Sequence, residues 1–253
     1  MCTVGYLEDL AIVFKNRDKN VATEEEVIRK PGIVAMRTKG ADYYSLGVNI
    51  YGCAFVSTAI NTPKWTALAA AGNKVDAAKQ FLIENDGLVS PTKLISRHLA
   101  SVQSAQEMVG ILEDSNQNFM GYNLVLIDRQ GAFRVECYQN QRHITTLPAR
   151  AVVTNHFNYV AHGPAKFEDY PSSFKREEEA NNRIQVSKSM DDLWALMKFN
   201  NSEDEEQSIW RIGSKFWTVS SAVLDIKDCS LVLSETPILP SSVTPIAADE
   251  RAL

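Results

Sequence analysis

What most constrains this chain is the order of its blocks. Strand-like stretches come first, then a long helical stretch, a hairpin, one more strand, two charged helices and a last run of strands, with no linker between them. Residues 2–14 read as one strand, or as two joined at Leu7-Glu8-Asp9, and the run stops at the charged cluster Lys15-Asn16-Arg17-Asp18-Lys19. Residues 20–30 are polar and Glu-rich and read as a loop. Ile33–Arg37, Tyr43–Asn49 and Cys53–Ile60 are β-branched or alternating and read as strands. The last ends at Asn61-Thr62-Pro63, where proline supplies no amide donor to continue a ladder.

From Lys64 to about Asp114 the periodicity turns helical. Residues 66–84 read as one Ala-rich helix, Ser90-Pro91 opens a second, and Ser101 or Ser104 opens a third with Ala105, Met108, Val109 and Leu112 on one face. Tyr122–Asp128 and Ala132–Tyr138 flank Arg129-Gln130-Gly131 as a hairpin, and Ala151–Thr154 is a strand that ends at Asn155-His156-Phe157. Residues 158–173 are turn-rich. Helices are expected at 173–186 and 190–199, an acidic solvated loop without a role at 202–206, and strands at 208–212, 216–224 and 229–233. This order predicts an α+β chain in which two sheets stack and helices cover their outer faces. Residues 1–235 form a single domain in this reading, and 236–253 a loosely ordered or partly packed tail.

Composition excludes several function classes. At 253 residues with net charge −5, the chain has no basic stripe for phosphates, so no nucleic-acid partner is expected. No apolar run approaches the ~20 residues that span a bilayer, and no signal-peptide pattern opens the chain, so a cytoplasmic protein with no membrane partner is expected. Cys2, Cys53, Cys137 and Cys229 show no metal-ligand spacing with the four histidines, so neither a metal nor another cofactor is expected. The last three cysteines read as buried, reduced thiols.

Cys2 is different. Once Met1 is removed, one residue carries a thiol that ordinarily titrates near ~8.5 and an α-amine that ordinarily titrates near ~7.7–8.0. The amine can take the thiol's proton near neutral pH without a histidine, so Cys2 is a nucleophile with its own base. The alternative is a cysteine with no special role. Loss of Met1 alone is expected, without internal cleavage, because the Gly52-Cys53 pair sits in the middle of a sheet block.

Five stretches in order complete a pattern: Met1-Cys2-Thr3, Lys15-Asn16-Arg17-Asp18, Asn61-Thr62-Pro63, Val153-Thr154-Asn155-His156 and Ser172-Ser173-Phe174-Lys175-Arg176. Together they resemble the N-terminal-nucleophile (Ntn) cysteine amidohydrolases, in particular the isopenicillin N acyltransferase-like family, which is related to the choloylglycine hydrolases and penicillin V acylases. The resemblance implies a four-layer αββα sandwich, the Ntn-hydrolase fold, with two antiparallel sheets flanked by helices. It also implies hydrolysis of a linear amide in a small-molecule N-acyl substrate through a thioester acyl-enzyme.

Carried over residue by residue, Cys2 matches the nucleophile and Asp18 the carboxylate that holds the α-amine. Asn61 and Asn155 match the donors around the tetrahedral intermediate, with a turn asparagine as the alternative for Asn61. Arg176 matches the arginine that tightens the site by pairing with Asp18, against an ordinary surface ion pair with its glutamate neighbours. Family members place an arginine where this chain has Lys15, and Arg17 stands next to the aspartate, so either cation is a candidate to face the thiol. A Lys-Asn-x-Asp version resembles the related dipeptidase branch. Trp65 and Phe157, with Tyr159 and Tyr170, are candidates to line a partly apolar pocket, and His156 to stand behind the site or in its wall. Two other readings stay open, acyl transfer to an amine acceptor and a non-catalytic relative resembling the transport-and-Golgi-organisation family. A homo-oligomer is also left open.

Overall fold

The computed structural model describes residues 2–19, 23–161, 164–213, 216–234 and 246–247. In the first sheet β1 (Cys2–Leu7) lies between β10 (Arg150–Val153) and β2 (Ile12–Lys19). From β2 the sheet runs on through β11 (Trp217–Asp225) and β12 (Ser230–Ser234) to the short β13 (Ile246–Ala247). The second sheet follows chain order: β3 (Glu25–Lys30), β4 (Ile33–Thr38), β5 (Leu46–Asn49), β6 (Ala54–Ala59), β7 (Phe119–Asp128), β8 (Gly131–Gln139) and β9 (Gln141–Thr146). Every pairing between these strands is antiparallel.

Three apolar layers hold the stack together. Between the sheets, Val4, Tyr6 and Val13 meet Met36, Val48, Val56 and Val125. Outside the second sheet, α3 (Pro91–His98) and α4 (Ala105–Glu113) lay Ile95, Leu99, Met108 and Leu112 on Phe55 and Leu124. Outside the first, α5 (Pro171–Val186) and α6 (Met190–Met197) lay Ala180, Ile184, Leu193 and Met197 on Leu7, Phe14 and Val152. The expected αββα sandwich is therefore the fold. Ser104 caps α4 as expected, accepting from Glu107 N, whereas the Ser90 hydroxyl bonds that of Thr92 and caps no amide of α3.

Several local expectations need correction, each for a physical reason. The charged cluster 15–19 does not end the first strand run but lies inside β2, where Lys15, Asn16, Arg17 and Asp18 are all buried. The central strands of a sheet covered on both faces have no solvent face on which to alternate. Residues 25–30, expected as loop, form edge strand β3, whose charges suit an edge; residues 20–22 lie outside the described set. The helix expected over 66–84 is two, α1 (Pro63–Ala70) and α2 (Lys74–Glu84). Gly72 at φ +77° breaks it, and Asn73 caps the second helix by accepting from Asp76 N. Strand β9 has no counterpart in the expectations, because its apolar content is a single isoleucine. Residues 208–212 form no strand, only an isolated bridge from Ile212 to Trp217. Cys229 is partly exposed in a turn at φ +50°, and Cys53 and Cys137 are buried. The tail expectation falls outside the described residues except at β13.

Candidate active site

The register of the first sheet assembles the site. Cys2 starts β1 and pairs across to Arg17 on β2, so Lys15, Arg17 and Lys19, two residues apart, share the face on which Cys2 points between the sheets. Asn16 and Asp18 take the opposite face, toward the α5 and α6 layer. There Asn16 donates to Met197 O and Ile209 O, and accepts from the Ser221 hydroxyl at 2.6 Å. Strand β11 slips register between Thr218 and Ser220, and the Thr218 hydroxyl reaches Asp18 Oδ1 at 2.8 Å.

Strand β10 runs antiparallel beside β1 and delivers Asn155 just past its end. Cys2 N donates to Asn155 Oδ1 at 2.6 Å. The Asn155 amide nitrogen is committed elsewhere, to Ala59 O at 2.7 Å and the Thr58 hydroxyl at 3.2 Å. The expectation for Asn155 is a donor toward the tetrahedral intermediate; its donors instead point into the end of β6, and its acceptor faces the Cys2 nitrogen. Arg176 comes from the first turns of α5 and is fully buried, which rules out the surface ion pair. Its guanidinium donates to Cys2 O (3.2 Å), Thr3 Oγ1 (2.9 Å) and Asn155 Oδ1 (3.2 Å), and lies 3.5 Å from Asp18 Oδ2. One buried cation thus joins the Cys2 backbone, the asparagine and the aspartate.

The cations on the inner face are held differently. Lys15 Nζ donates to Ser57 O at 2.6 Å and Ser45 O at 3.3 Å. Arg17 pairs with Glu25 and donates to Thr38 Oγ1, with Ser45 Oγ at 3.5 Å. Burial works to raise the Cys2 thiol, but the Lys15 charge, the chain's amino-terminal charge and Arg17 outweigh it, and the thiol lies below its ordinary value. Burial lowers Lys15 in turn to about 8. Burial pushes Cys53 and Cys137 up to about 12, so neither competes as a thiolate.

Two cavities meet here. One of about 220 Å³ contains Cys2, Lys15, Arg17 and Lys19 in its lining, and a larger one of about 610 Å³ runs out beside it. Asn61, Trp65, Asn155 and Phe216 line both. The larger is walled by Pro63, Ala67, Ala70, Tyr170 and Pro171, with Glu168, Glu205 and Arg211 also in its lining. The loop around 205, expected to have no role, therefore contributes a wall residue. Asn61 is placed by the Tyr170 hydroxyl on its carbonyl at 2.9 Å, and its side chain makes no hydrogen bond among the described residues. Gly121 makes this corner: Ile60 N donates to Gly121 O, and a Cβ there would sit 2.4 Å from Ile60 O.

His156 and Phe157 line neither cavity. The His156 ring stacks on Phe174, with Nδ1 2.9 Å from Ser173 Oγ and Nε2 3.6 Å from Glu177, and burial with the Arg134 charge lowers it to about 4. Phe157 packs with Ile60, Val160 and Tyr138 behind the site, and Tyr159 stacks on His143 away from it. The sequence reading overlooked Phe216, Thr218, Thr58 and Lys19. For Lys19 the signal was present, since i, i+2, i+4 spacing follows once the charged cluster is read as strand. For the other three only pairing across the sheets brings them in. Among the described residues no group of His, Cys, Asp and Glu is placed to hold a metal, and no helix is long and apolar enough to cross a membrane.

No family model and no curated protein sequence matches the chain. Solved structures do. The C2A mutant of conjugated bile acid hydrolase from Clostridium perfringens superposes with TM-score 0.56 at 12% identity, over 98% of this chain and 92% of that one. The Caenorhabditis elegans orthologue of N-acylethanolamine-hydrolyzing acid amidase gives 0.56 at 10% identity over 96% and 95%. Penicillin V acylase from Agrobacterium tumefaciens gives 0.51 at 12% identity over 93% and 83%. The chain shares the fold of these three proteins along nearly its whole length.

Proposed function

We propose that this protein hydrolyses a linear amide of a small N-acyl substrate, with Cys2 as nucleophile and its own α-amine as base after Met1 is removed. The observation that carries the reading is the Cys2 nitrogen on Asn155 Oδ1, beside a thiol whose pKa neighbouring cations depress. Asn155 accepts from the amine and so orients it. Arg176 orients Asn155 and the Cys2 carbonyl from behind, with Asp18 offsetting its buried charge.

The steps follow from this placement. The α-amine takes the thiol proton, and the thiolate attacks the amide carbon. Asn61, with an uncommitted amide on both cavities, is the donor for the oxyanion; such a donor is worth ~2.7–4 kcal/mol in the transition state. The ammonium then protonates the leaving nitrogen, the C–N bond breaks, and a thioester remains on Cys2. Water, deprotonated by the amine, attacks the thioester, and the thiolate leaves with the acid as product.

Intact mass together with turnover tests this. The purified protein is expected to lack Met1 and nothing else, and Cys2→Ser to lose more than ~10³-fold in kcat while keeping the fold. A folded sample that retains Met1 argues for a non-catalytic protein. Activity that survives Cys2→Ser removes the nucleophile from this reading.

A further inference from the structure

We infer that Lys19 sets the charge the nucleophile cavity accepts, by receiving a carboxylate on the small half of the substrate. The inference rests on the amide-hydrolase reading and adds the residue that sets its preference.

Charges around the cavity of about 220 Å³ are matched one by one, with a single exception. Its lining includes Lys15, Arg17, Lys19 and Asp18. Asp18 is matched by Arg176 and bound by Thr218. Arg17 is matched by Glu25, whose carboxylate also receives the Thr23 hydroxyl. Lys15 is held by two carbonyls and faces the Cys2 thiol, so thiolate and ammonium offset each other. Lys19 is left over. It is half-buried, and among the described residues its side chain makes no hydrogen bond or ion pair. A half-buried ammonium that faces a cavity without an acceptor is costly unless an anion comes to it.

Lys19 lies two residues along β2 from Arg17, the cross-strand partner of Cys2, and on the same face, about 7 Å along the strand, so an anion there is close to the scissile bond. The small cavity leaves room for a compact group such as an amino acid. The 610 Å³ neighbour, with Trp65, Phe216, Pro63 and Tyr170 in its walls, takes the larger and less polar acyl part. Its own charges are mixed, Glu168, Asp169 and Glu205 against Lys64 and Arg211, and select no single sign.

N-octanoylglycine, N-octanoylglycinamide and N-octanoylethanolamine share one acyl chain and differ in the charge of the amine half. Turnover of the wild type should favour N-octanoylglycine by ~10- to 100-fold in kcat/KM, the range for a hydrogen bond to a charged group. Lys19→Met should bring that ratio close to one, mostly through KM, and Lys19→Arg should keep most of it. Calorimetry on Cys2→Ser should show the same preference in binding, lost when Lys19→Met is added. Equal handling of the three probes, a preference that survives Lys19→Met, or no binding of any probe to folded protein overturns the inference. Carboxylate-selective binding through Lys19 without wild-type turnover removes the hydrolase reading and leaves this one. Cys2-dependent turnover with no carboxylate preference does the opposite.

Discussion

Two buried arginines converge on the same short turn, and only one of them touches Cys2. Arg176 reaches from α5 to Cys2 O, Thr3, Asn155 and Asp18. Arg134 reaches from β8 to Glu136 at 2.9 Å, to His156 O at 2.9 Å and to Asn123. Glu136 in turn accepts from the backbone amides of Asn158, Tyr159 and Val160, and Asn123 donates to Thr154 O and His156 O. The second network therefore fixes the path of the chain through 154–160 and, among the described residues, makes no hydrogen bond to Cys2. Similar burial and charge thus serve two tasks: Arg176 holds Cys2 and Asn155 directly, and Arg134 sets the backbone that carries Asn155.

The sharpest way to break this comparison is at Arg176. Arg176→Met takes the guanidinium away from buried Asp18 and one donor away from Asn155 Oδ1. We expect kcat to fall ~10²- to 10³-fold in the protein that folds, as misplacement at a reacting centre does. The acid limb of the kcat/KM profile should move as well, because a charge that influences the Cys2 thiol is gone. Pre-steady-state thioester formation followed against pH checks this. An acid limb that stays put would show that Arg176 does not act through Cys2.

Arg134→Met should act on stability instead. Removing one partner of a buried pair typically costs ~3–5 kcal/mol, and Glu136 would be left with backbone amides alone. Chemical denaturation should report that loss, while the folded fraction keeps its pH profile. An unchanged midpoint with a displaced acid limb would place Arg134 in the chemistry and erase the distinction.

How far this contrast could be read in advance depended on where each charge sits along the chain. The block order predicted the αββα stack, because apolar strand runs and helical faces announce which sides must be buried. Cys2, Asp18, Asn61, Asn155 and Arg176 stood out in the sequence as motifs, and the fold brings them to one place. The role of Asn155 was not legible, since it turns on which end of a side-chain amide meets the Cys2 nitrogen. The Lys15–Lys19 cluster looked like a solvated break, and only a strand covered on both faces makes it interior. Arg134 and Glu136 were passed over inside a hairpin: alternate residues of one strand say that they share a face, and nothing local says what waits there.

His156 lies between the two networks and reads both. Burial first, then the charges of Arg134 and Arg176, hold it near 4, with Glu136 pulling the other way. The folded state thus binds the proton less well than the unfolded chain, whose histidine titrates near 6.5. Stability should be level above about pH 6.5 and fall as the pH drops toward 4, by on the order of 3 kcal/mol in total from this group. Thermal melts across that window, with His156→Gln as the control, check the sign. If the variant falls as steeply as the wild type, the acid loss belongs to other groups. If Arg134→Met reduces the slope more than Arg176→Met does, the order of the two charges on His156 is upheld.

The smallest expected effect concerns the discharge of Lys15, the cation that does most to lower the Cys2 thiol. Arginines stay protonated, but Lys15 is brought down to about 8 by burial, and Cys2, Arg17, Glu25 and Lys19 are the charges that act on it. Above that pH the thiol loses its largest cationic support, so kcat/KM should decline on the alkaline side by several-fold. Stability should move the other way over the same range. A lysine whose folded pKa is lowered from 10.5 makes the charged form costly, and that cost is relieved as the pH rises from about 8 toward 10.5. Activity and stability therefore part company on the alkaline side. Lys15→Arg cannot discharge there, so it should push the alkaline limb upward even while its larger, planar head fits Ser45 O and Ser57 O less well and lowers the plateau. Paired pH profiles of rate and melting temperature decide it. A wild-type alkaline limb that Lys15→Arg leaves in place would assign that titration to another group and take Lys15 out of the thiol's support.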